Sequence, residues 1–263
     1  MTDSGPAPRI FLAETRAAKL LDRFGINQPQ DIVLEDLAYA LGVEIVFQAL
    51  AGAEAHLVRV GDKGGITVST RIRERGRQRF AIAHEMGHWM LHEGRTQFFR
   101  CTAEDMRDYE SSSEEIEANV FASELLMPVR MMNPTFRTTQ PGLNIPREMA
   151  ETFDVSLTAA TLRYVTKFKF PLMVAFSSNG CVNWWRRNEE LMEYIYLERG
   201  QRLMPGSRAV AVAAGDPPDL EMVEVAWEAW FPHLDARAGT LREQSLRFDQ
   251  YDMQMSLLWL EPA

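Results

Sequence analysis

The sequence predicts an α+β protein, and three observations indicate this fold class. Apolar residues recur at helical spacing in segments 13–24 and 28–41, and a glycine follows each segment. Short β-rich runs at 43–47, 55–60 and 66–69 predict a small, mostly antiparallel sheet. From Pro171 onward the pattern is mostly β, with Asn179-Gly180 as a hairpin signal. Helices are therefore expected before and after a first small sheet, with a second β region behind them.

Composition and charge restrict the class of protein. The chain has 263 residues, of which 46% are hydrophobic and 25% charged, enough for one core and one or two smaller modules. Its net charge of −9 disfavours non-specific binding to nucleic acids. No run approaches the roughly 18 uncharged apolar residues of a membrane span, and the N-terminus lacks a signal-peptide pattern. Cys101 and Cys181 are far apart in sequence, so we expect reduced thiols in a cytoplasmic protein, with a single structural disulfide as the less favoured alternative.

The next predicted helix, from about Glu74 to Gly94, carries the most specific motif. His84-Glu85-Met86-Gly87-His88 fits H-E-x-x-H. Residues i and i+4 lie on one helix face, so both imidazoles can bind one ion. Glu85 is rotated by about 100° from His84, which leaves its carboxylate beside the ion, where it can accept a proton from water. The motif therefore predicts a zinc site with His84 and His88 as ligands and Glu85 as the catalytic base.

A catalytic zinc needs a third protein ligand and an open fourth position. His92 continues the same helix face, but it lies roughly 12 Å along the axis from His84, too far for one ion. The extended motif H-E-x-x-H-x-x-G-x-x-H is excluded, because Leu91 and Arg95 stand at its glycine and third histidine. The remaining source is an acidic helix predicted at 114–126, which three serines can cap.

Within this acidic helix, Glu115 and Asn119 are four residues apart and therefore share a face. We expect Glu115 to be the third ligand and Asn119 to orient a ligating histidine. Glu117 lies on a different face and has no such companion, and Glu114 is the next candidate. The alternative interpretation is that these acids only favour the N-terminus of the helix through its dipole.

Two blocks of the chain resemble the ImmA/IrrE family of metallo-endopeptidases. The blocks are residues 77–88 and 115–128, and the resemblance extends over about residues 30–170. It implies a zincin-like peptidase core with zinc on His84, His88 and Glu115 and with Glu85 as base. Family members act mainly as regulators that cleave a partner repressor, often of the helix-turn-helix type, in response to stress. The resemblance therefore implies a protein substrate of that kind.

The predicted organisation has three parts. Residues 1–135 would form the zincin-like metallopeptidase domain, 136–170 a helix-turn-helix-like segment, and 171–263 a mostly-β domain for sensing or interaction. The second helix of the middle segment has few basic residues, with Arg163 inside it and two lysines behind it. Packing or partner contact is therefore favoured over direct DNA binding. The aromatic clusters at 184–187 and 227–231 are expected to pack in a core.

Three expectations concern the reaction and its rivals. A second electrophile is expected, and His92, Tyr109 and Arg100 are candidates by their proximity in sequence. The strand at 66–69 would either pair with an extended substrate or be an ordinary edge strand. The alternative function is a transcriptional regulator or sensor module with a non-catalytic zinc site. The intact Glu85 disfavours it, because a structural zinc site needs no base.

Overall fold

The structure is a computed structural model that describes residues 7–92, 98–101, 112–136, 138, 140–192, 194–234 and 239–262. The helices are α1 (Ile10–Arg23), α2 (Leu34–Ala40), α3 (Arg75–Leu91), α4 (Ser113–Leu126), α5 (Val129–Thr135), α6 (Asn144–Phe153), α7 (Leu157–Lys167) and α8 (Arg208–Ala213). The strands are β1 (Val43–Gln48), β2 (Ala55–Val60), β3 (Lys63–Ser69), β4 (Phe98–Cys101), β5 (Leu172–Ser178), β6 (Cys181–Arg187), β7 (Val223–Glu224), β8 (Thr240–Phe248) and β9 (Met253–Glu261). The expected α+β class is confirmed.

The chain divides into two compact units. The first comprises Met1–Phe136 and Met149–Ala159, and the second comprises Arg137–Glu148 and Ala160–Ala263. The division into three parts drawn from the sequence stays a prediction. Among the described residues, every helix is too short or too polar to cross a membrane.

The sheet of the first unit has the order β1-β3-β2-β4 and is mixed. β1 pairs with β3 in parallel, whereas β2 pairs antiparallel with both β3 and β4. The expectation that 66–69 lies at a sheet edge is therefore wrong, because these residues belong to β3, which has a neighbour on each side. Both rows of β3 backbone groups are already paired, so a substrate strand cannot add to it.

In the first unit, α4 packs against both α3 and α1. Its predicted capping is confirmed, since the Ser112 side chain accepts a hydrogen bond from the backbone N–H of Glu115. The single helix predicted at 28–41 is instead a 3₁₀ turn, Pro29–Asp31, followed by α2. Val33 between them has an extended backbone, and the β-branched pair Ile32-Val33 disfavours a continuous helix.

The second unit contains a five-stranded antiparallel sheet in the order β6-β5-β9-β8-β7. The predicted hairpin is confirmed: Asn179 and Gly180 link β5 to β6 with φ angles of 51° and 71°, as a tight hairpin turn requires. Trp230 and Phe231 are fully buried in its core, which confirms the packing expected for that aromatic cluster.

The pair of short helices expected before the β region is present as α6 and α7, and Asp154 between them has a left-handed φ of 51°. Arg163, the basic residue inside α7, is only 4% exposed. Its guanidinium group is therefore inside the protein rather than on a basic surface.

Candidate metal centre

The helix α3 is buried along most of its C-terminal half, and it presents the H-E-x-x-H motif to α4. Gly87 lies between the two histidines in the sequence, and its lack of a side chain permits the close packing of α3 against α4. A Cβ atom there would lie 3.0 Å from the Cα of Ala118 and 3.1 Å from its carbonyl oxygen. A larger residue here would require the two helix backbones to separate by a few tenths of an ångström. This approach brings the first turn of α4 next to the two histidines.

Three side chains meet at the contact between α3 and α4. His84 Nε2 lies 3.0 Å from His88 Nε2 and 3.1 Å from Glu115 Oε2. His88 Nε2 lies 3.3 Å from the second carboxylate oxygen, Glu115 Oε1. Both histidines are fully buried, and the Glu115 side chain is 17% exposed. The residues predicted from the motif and from the acidic helix therefore lie together.

The chemistry and spacing of these donor atoms fit a zinc ion. Two imidazole nitrogens and one carboxylate are a ligand set of catalytic zinc sites, and tetrahedral bonds to zinc would separate neighbouring donors by about 3.3–3.6 Å. The observed separations of 3.0–3.3 Å are close to that spacing. Among the described residues, His84, His88 and Glu115 form a group that could hold a metal ion.

The outer hydrogen bond of His84 determines which ring nitrogen is available. Its Nδ1 lies 2.9 Å from the side-chain oxygen of Asn119, in the contact expected from the spacing of Asn119 and Glu115. An amide oxygen only accepts, so Nδ1 carries the proton and donates it. The Nε2 lone pair of the neutral ring then points at the donor cluster, as a metal ligand requires.

The electrostatics of the cluster favour positive charge at its centre. Burial opposes the charged form of His84, but its hydrogen bond to Glu115 and the charges of Glu85 and Glu115 raise its pKa overall. Burial lowers the pKa of His88 to about 4. Although burial opposes its ionisation, hydrogen bonds from both histidines hold the pKa of Glu115 well below its usual range. Glu115 is therefore a carboxylate and His88 a neutral ring at neutral pH.

Glu85 is fully buried, beside His84 in the sequence. Its charge is one of the causes that raise the pKa of His84, so it acts directly on the donor cluster. A carboxylate in such a place can exchange protons with a molecule bound at the cluster.

The other predicted site residues lie in different places. Among them, Tyr109 lies outside the described residues. Arg100 belongs to β4, opposite His56 of β2. Glu114 is partly buried in the first turn of α4, and its charge acts on His92.

Sequence reasoning missed the environment of Glu117. No counterpart of Asn119 follows it on α4, but its carboxylate contacts His92 and Arg9 from outside that helix. Its signal in the sequence was His92 itself, one helical turn after His88 with an acid-rich helix nearby. Arg9, far away in the sequence, gave no signal.

The fold and the site together define a candidate metallopeptidase: an α+β unit in which an H-E-x-x-H helix and a carboxylate from a second helix assemble one metal site. Residues 38–164 match the IrrE N-terminal-like domain of the peptidase M78 family. This match confirms the family inferred from the two sequence blocks.

Comparison with solved structures gives a similar fold in a Mycobacterium tuberculosis transcriptional regulator. The TM-score is 0.57 at 13% sequence identity, over 95% of this chain and 76% of that chain. At this identity the likeness concerns the fold alone. No curated protein sequence matches the chain.

Proposed function

We propose that this protein is a zinc-dependent endopeptidase that hydrolyses a peptide bond in a protein substrate. The observation that carries the proposal is the convergence of His84, His88 and Glu115 beside the buried Glu85, within a peptidase-family domain. A site that only stabilised the fold would need no buried acid between its two histidines.

Each residue has a separate task in this reaction. His84, His88 and Glu115 would hold the ion, and Asn119 keeps His84 in the required tautomer. When bound, zinc supplies a Lewis acid that polarises the substrate carbonyl and makes water nucleophilic near neutral pH. Glu85 accepts the proton of the attacking water and delivers it to the leaving amine.

The proposed substrate is a partner transcriptional repressor, cleaved at one site in a stress or mobile-element response in the cytoplasm. The resemblance of the two sequence blocks to regulatory proteases supports this proposal. A helix-turn-helix repressor is the first substrate to test.

The rival function is a transcriptional regulator that contacts DNA and uses zinc only structurally. The burial of Arg163 speaks against DNA reading by α7, because that side chain is not available to phosphates. Salt-dependent DNA binding by the full chain would favour the rival.

The decisive experiment incubates the purified, zinc-loaded protein with a candidate repressor encoded nearby, and mass spectrometry identifies the products. We expect one defined cleavage that disappears with a chelator. The variant Glu85→Gln should retain zinc and lose at least about 100-fold in cleavage rate, the lower end of the contribution of a general base. Cleavage that persists in Glu85→Gln would contradict the assigned base, and cleavage that survives chelation would contradict the reaction class.

A further inference from the structure

The histidine that follows the motif by one turn lies on the outer side of the metal site. His92 is the C-terminal capping residue of α3 and is 7% exposed. Its Nδ1 lies 3.0 Å from Nδ1 of His88, whereas Nε2 of His88 faces His84 and Glu115. His92 therefore contacts the ring edge of His88 that points away from the donor cluster. This position suits support of the ligand better than contact with a substrate carbonyl.

The other nitrogen of His92 contacts a buried carboxylate. His92 Nε2 lies 3.3 Å from Oε2 of Glu117, which is 3% exposed. Arg9, at the start of α1, donates three hydrogen bonds to the same carboxylate: its backbone N–H at 2.8 Å, Nε at 3.1 Å and Nη2 at 2.9 Å. The guanidinium of Arg9 therefore compensates the charge of Glu117, and these hydrogen bonds from the start of α1 fix the position of the carboxylate.

The proton positions along these contacts follow from elementary hydrogen-bond chemistry. A neutral His88 that binds an ion through Nε2 carries its proton on Nδ1 and donates it to Nδ1 of His92. His92 must then carry its own proton on Nε2, and it donates that proton to the carboxylate of Glu117. Every contact from Arg9 to His88 receives one donor and one acceptor, and no other neutral arrangement satisfies them all.

We propose that His92 and Glu117 are positioning residues of the metal site, and that Arg9 holds Glu117 in place. Glu117 fixes the tautomer of His92, and His92 in turn orients His88 and increases its basicity as a ligand. This inference rests on the proposed metallopeptidase function. It makes α4 the common support of both histidine ligands, through Asn119 for His84 and through Glu117 and His92 for His88.

Two substitutions of His92 separate its two hydrogen bonds. In His92→Asn, the amide oxygen takes roughly the place of Nδ1 and still accepts from His88. In His92→Gln, the amide takes roughly the place of Nε2, so it reaches Glu117 but offers His88 no acceptor. The control is Glu124→Gln, which changes another buried carboxylate of α4 that accepts a hydrogen bond from the backbone N–H of Val129.

The first measurement is zinc affinity, by competition with a chromophoric chelator. His92→Gln should bind zinc about 10–100-fold more weakly than wild type, the range seen when an outer partner of a ligand is lost. His92→Asn should lose much less affinity, and Glu124→Gln should bind like wild type. Equal losses in the two His92 variants would show that His92 only fills space and would overturn the proposal.

The second measurement needs neither zinc nor activity: imidazole ¹H–¹⁵N spectra of the zinc-free, wild-type protein. We expect His92 as the Nε2–H tautomer, and a mixture of tautomers in Glu117→Gln, because an amide can donate as well as accept. A His92 protonated on Nδ1 in wild type would overturn the proposed chain of hydrogen bonds from Glu117 to His88. Failure of the wild-type protein to bind zinc would instead contradict the proposed function, while these spectra would still test the hydrogen bonds that His92 makes to Glu117 and His88.

Discussion

At the scale of single residues, the site depends on the only ligand that α3 does not supply. Glu115 contributes the one formal negative charge among the three donors, and its two oxygens contact both histidines. Glu115→Ala should therefore abolish stoichiometric zinc binding, because two neutral imidazoles alone hold the ion weakly. Metal analysis after dialysis measures this loss. Glu114→Ala, which removes the neighbouring acid, is the matched control and should keep one zinc per chain. Full occupancy in Glu115→Ala would place the third ligand elsewhere.

The protonation of the two ligand histidines predicts how zinc binding depends on pH. The pKa of His84 is raised above 6.5, so the metal-free ring carries a proton in mild acid, whereas the pKa of His88 is lowered to about 4. Zinc binds only neutral imidazole and must displace that proton. Between pH 4 and the raised pKa of His84, affinity should fall about tenfold for each unit of pH lost, and more steeply below pH 4.

Calorimetric titrations with zinc in two buffers of different ionisation enthalpy measure the displaced proton directly. Release of about one proton per zinc is expected in mild acid. Burial lowers the pKa of His92, so His92 should contribute fewer protons than an exposed histidine would. An affinity that does not change between pH 5 and pH 6.5 would contradict the electrostatic picture of the cluster.

At the scale of elements, the crossing of α3 and α4 determines whether the donors meet. Gly87→Ala would place a methyl group 3.0 Å from the Ala118 backbone, and the helices would have to separate by a few tenths of an ångström. Overpacking of this kind costs typically 1–3 kcal/mol, and a shift of α4 would also carry Glu115 away from the histidines. Both the thermal midpoint and the zinc affinity should therefore fall. Gly65→Ala is the control, because a Cβ atom there would have no neighbour within 4 Å. Unchanged zinc affinity in Gly87→Ala would separate helix packing from the site.

The helices α3 and α4 show which site residues could be predicted from the sequence and why the role of Glu117 could not. His84, Glu85 and His88 follow from spacing within one helix, and Glu115 with Asn119 follows from spacing within another, because helical periodicity is local. The role of Glu117 did not follow, since α4 is covered on two sides, by α3 and by α1, and so has no single inner face.

The interior position of β3 in its sheet could not be predicted from the sequence for a related reason. The short connection between β2 and β3 predicts that these two strands pair as a hairpin. It does not predict that β1, from an earlier part of the chain, pairs in parallel with the other side of β3. Such non-local pairing leaves no mark in the spacing of residues. Contacts between distant segments, Arg9 with Glu117 among them, were thus the features that sequence reasoning lacked.

At the scale of the whole molecule, the two units stabilise a carboxylate that is largely or fully buried by different means. In the first unit, Glu115 faces two imidazoles that can share a cation with it. In the second unit, Glu243 is fully buried in β8 and accepts hydrogen bonds instead. Its donors are the backbone N–H groups of Arg208 and Ala209, the indole N–H of Trp230 and the hydroxyl of Ser245.

These four donors predict the effect of replacing Glu243 by its neutral isostere. In Glu243→Gln, the amide NH₂ would face at least one N–H group that can only donate in either orientation, so at least one buried hydrogen bond is lost and a buried donor is left unsatisfied, at a cost of about 1–3 kcal/mol. Burial raises the pKa of Glu243 despite the four donors. An acid whose pKa is raised by folding stabilises the protein most when it is protonated, and that contribution is lost as the pH rises from 4.5 through the folded pKa. The stability difference between wild type and variant should therefore change with pH above 4.5.

Denaturant unfolding at several pH values measures this difference in the free energy of unfolding. The control is Glu261→Gln, which replaces a partly exposed acid paired with Arg242. A Glu243→Gln protein as stable as wild type at every pH would mean that the four donors do not hold a carboxylate.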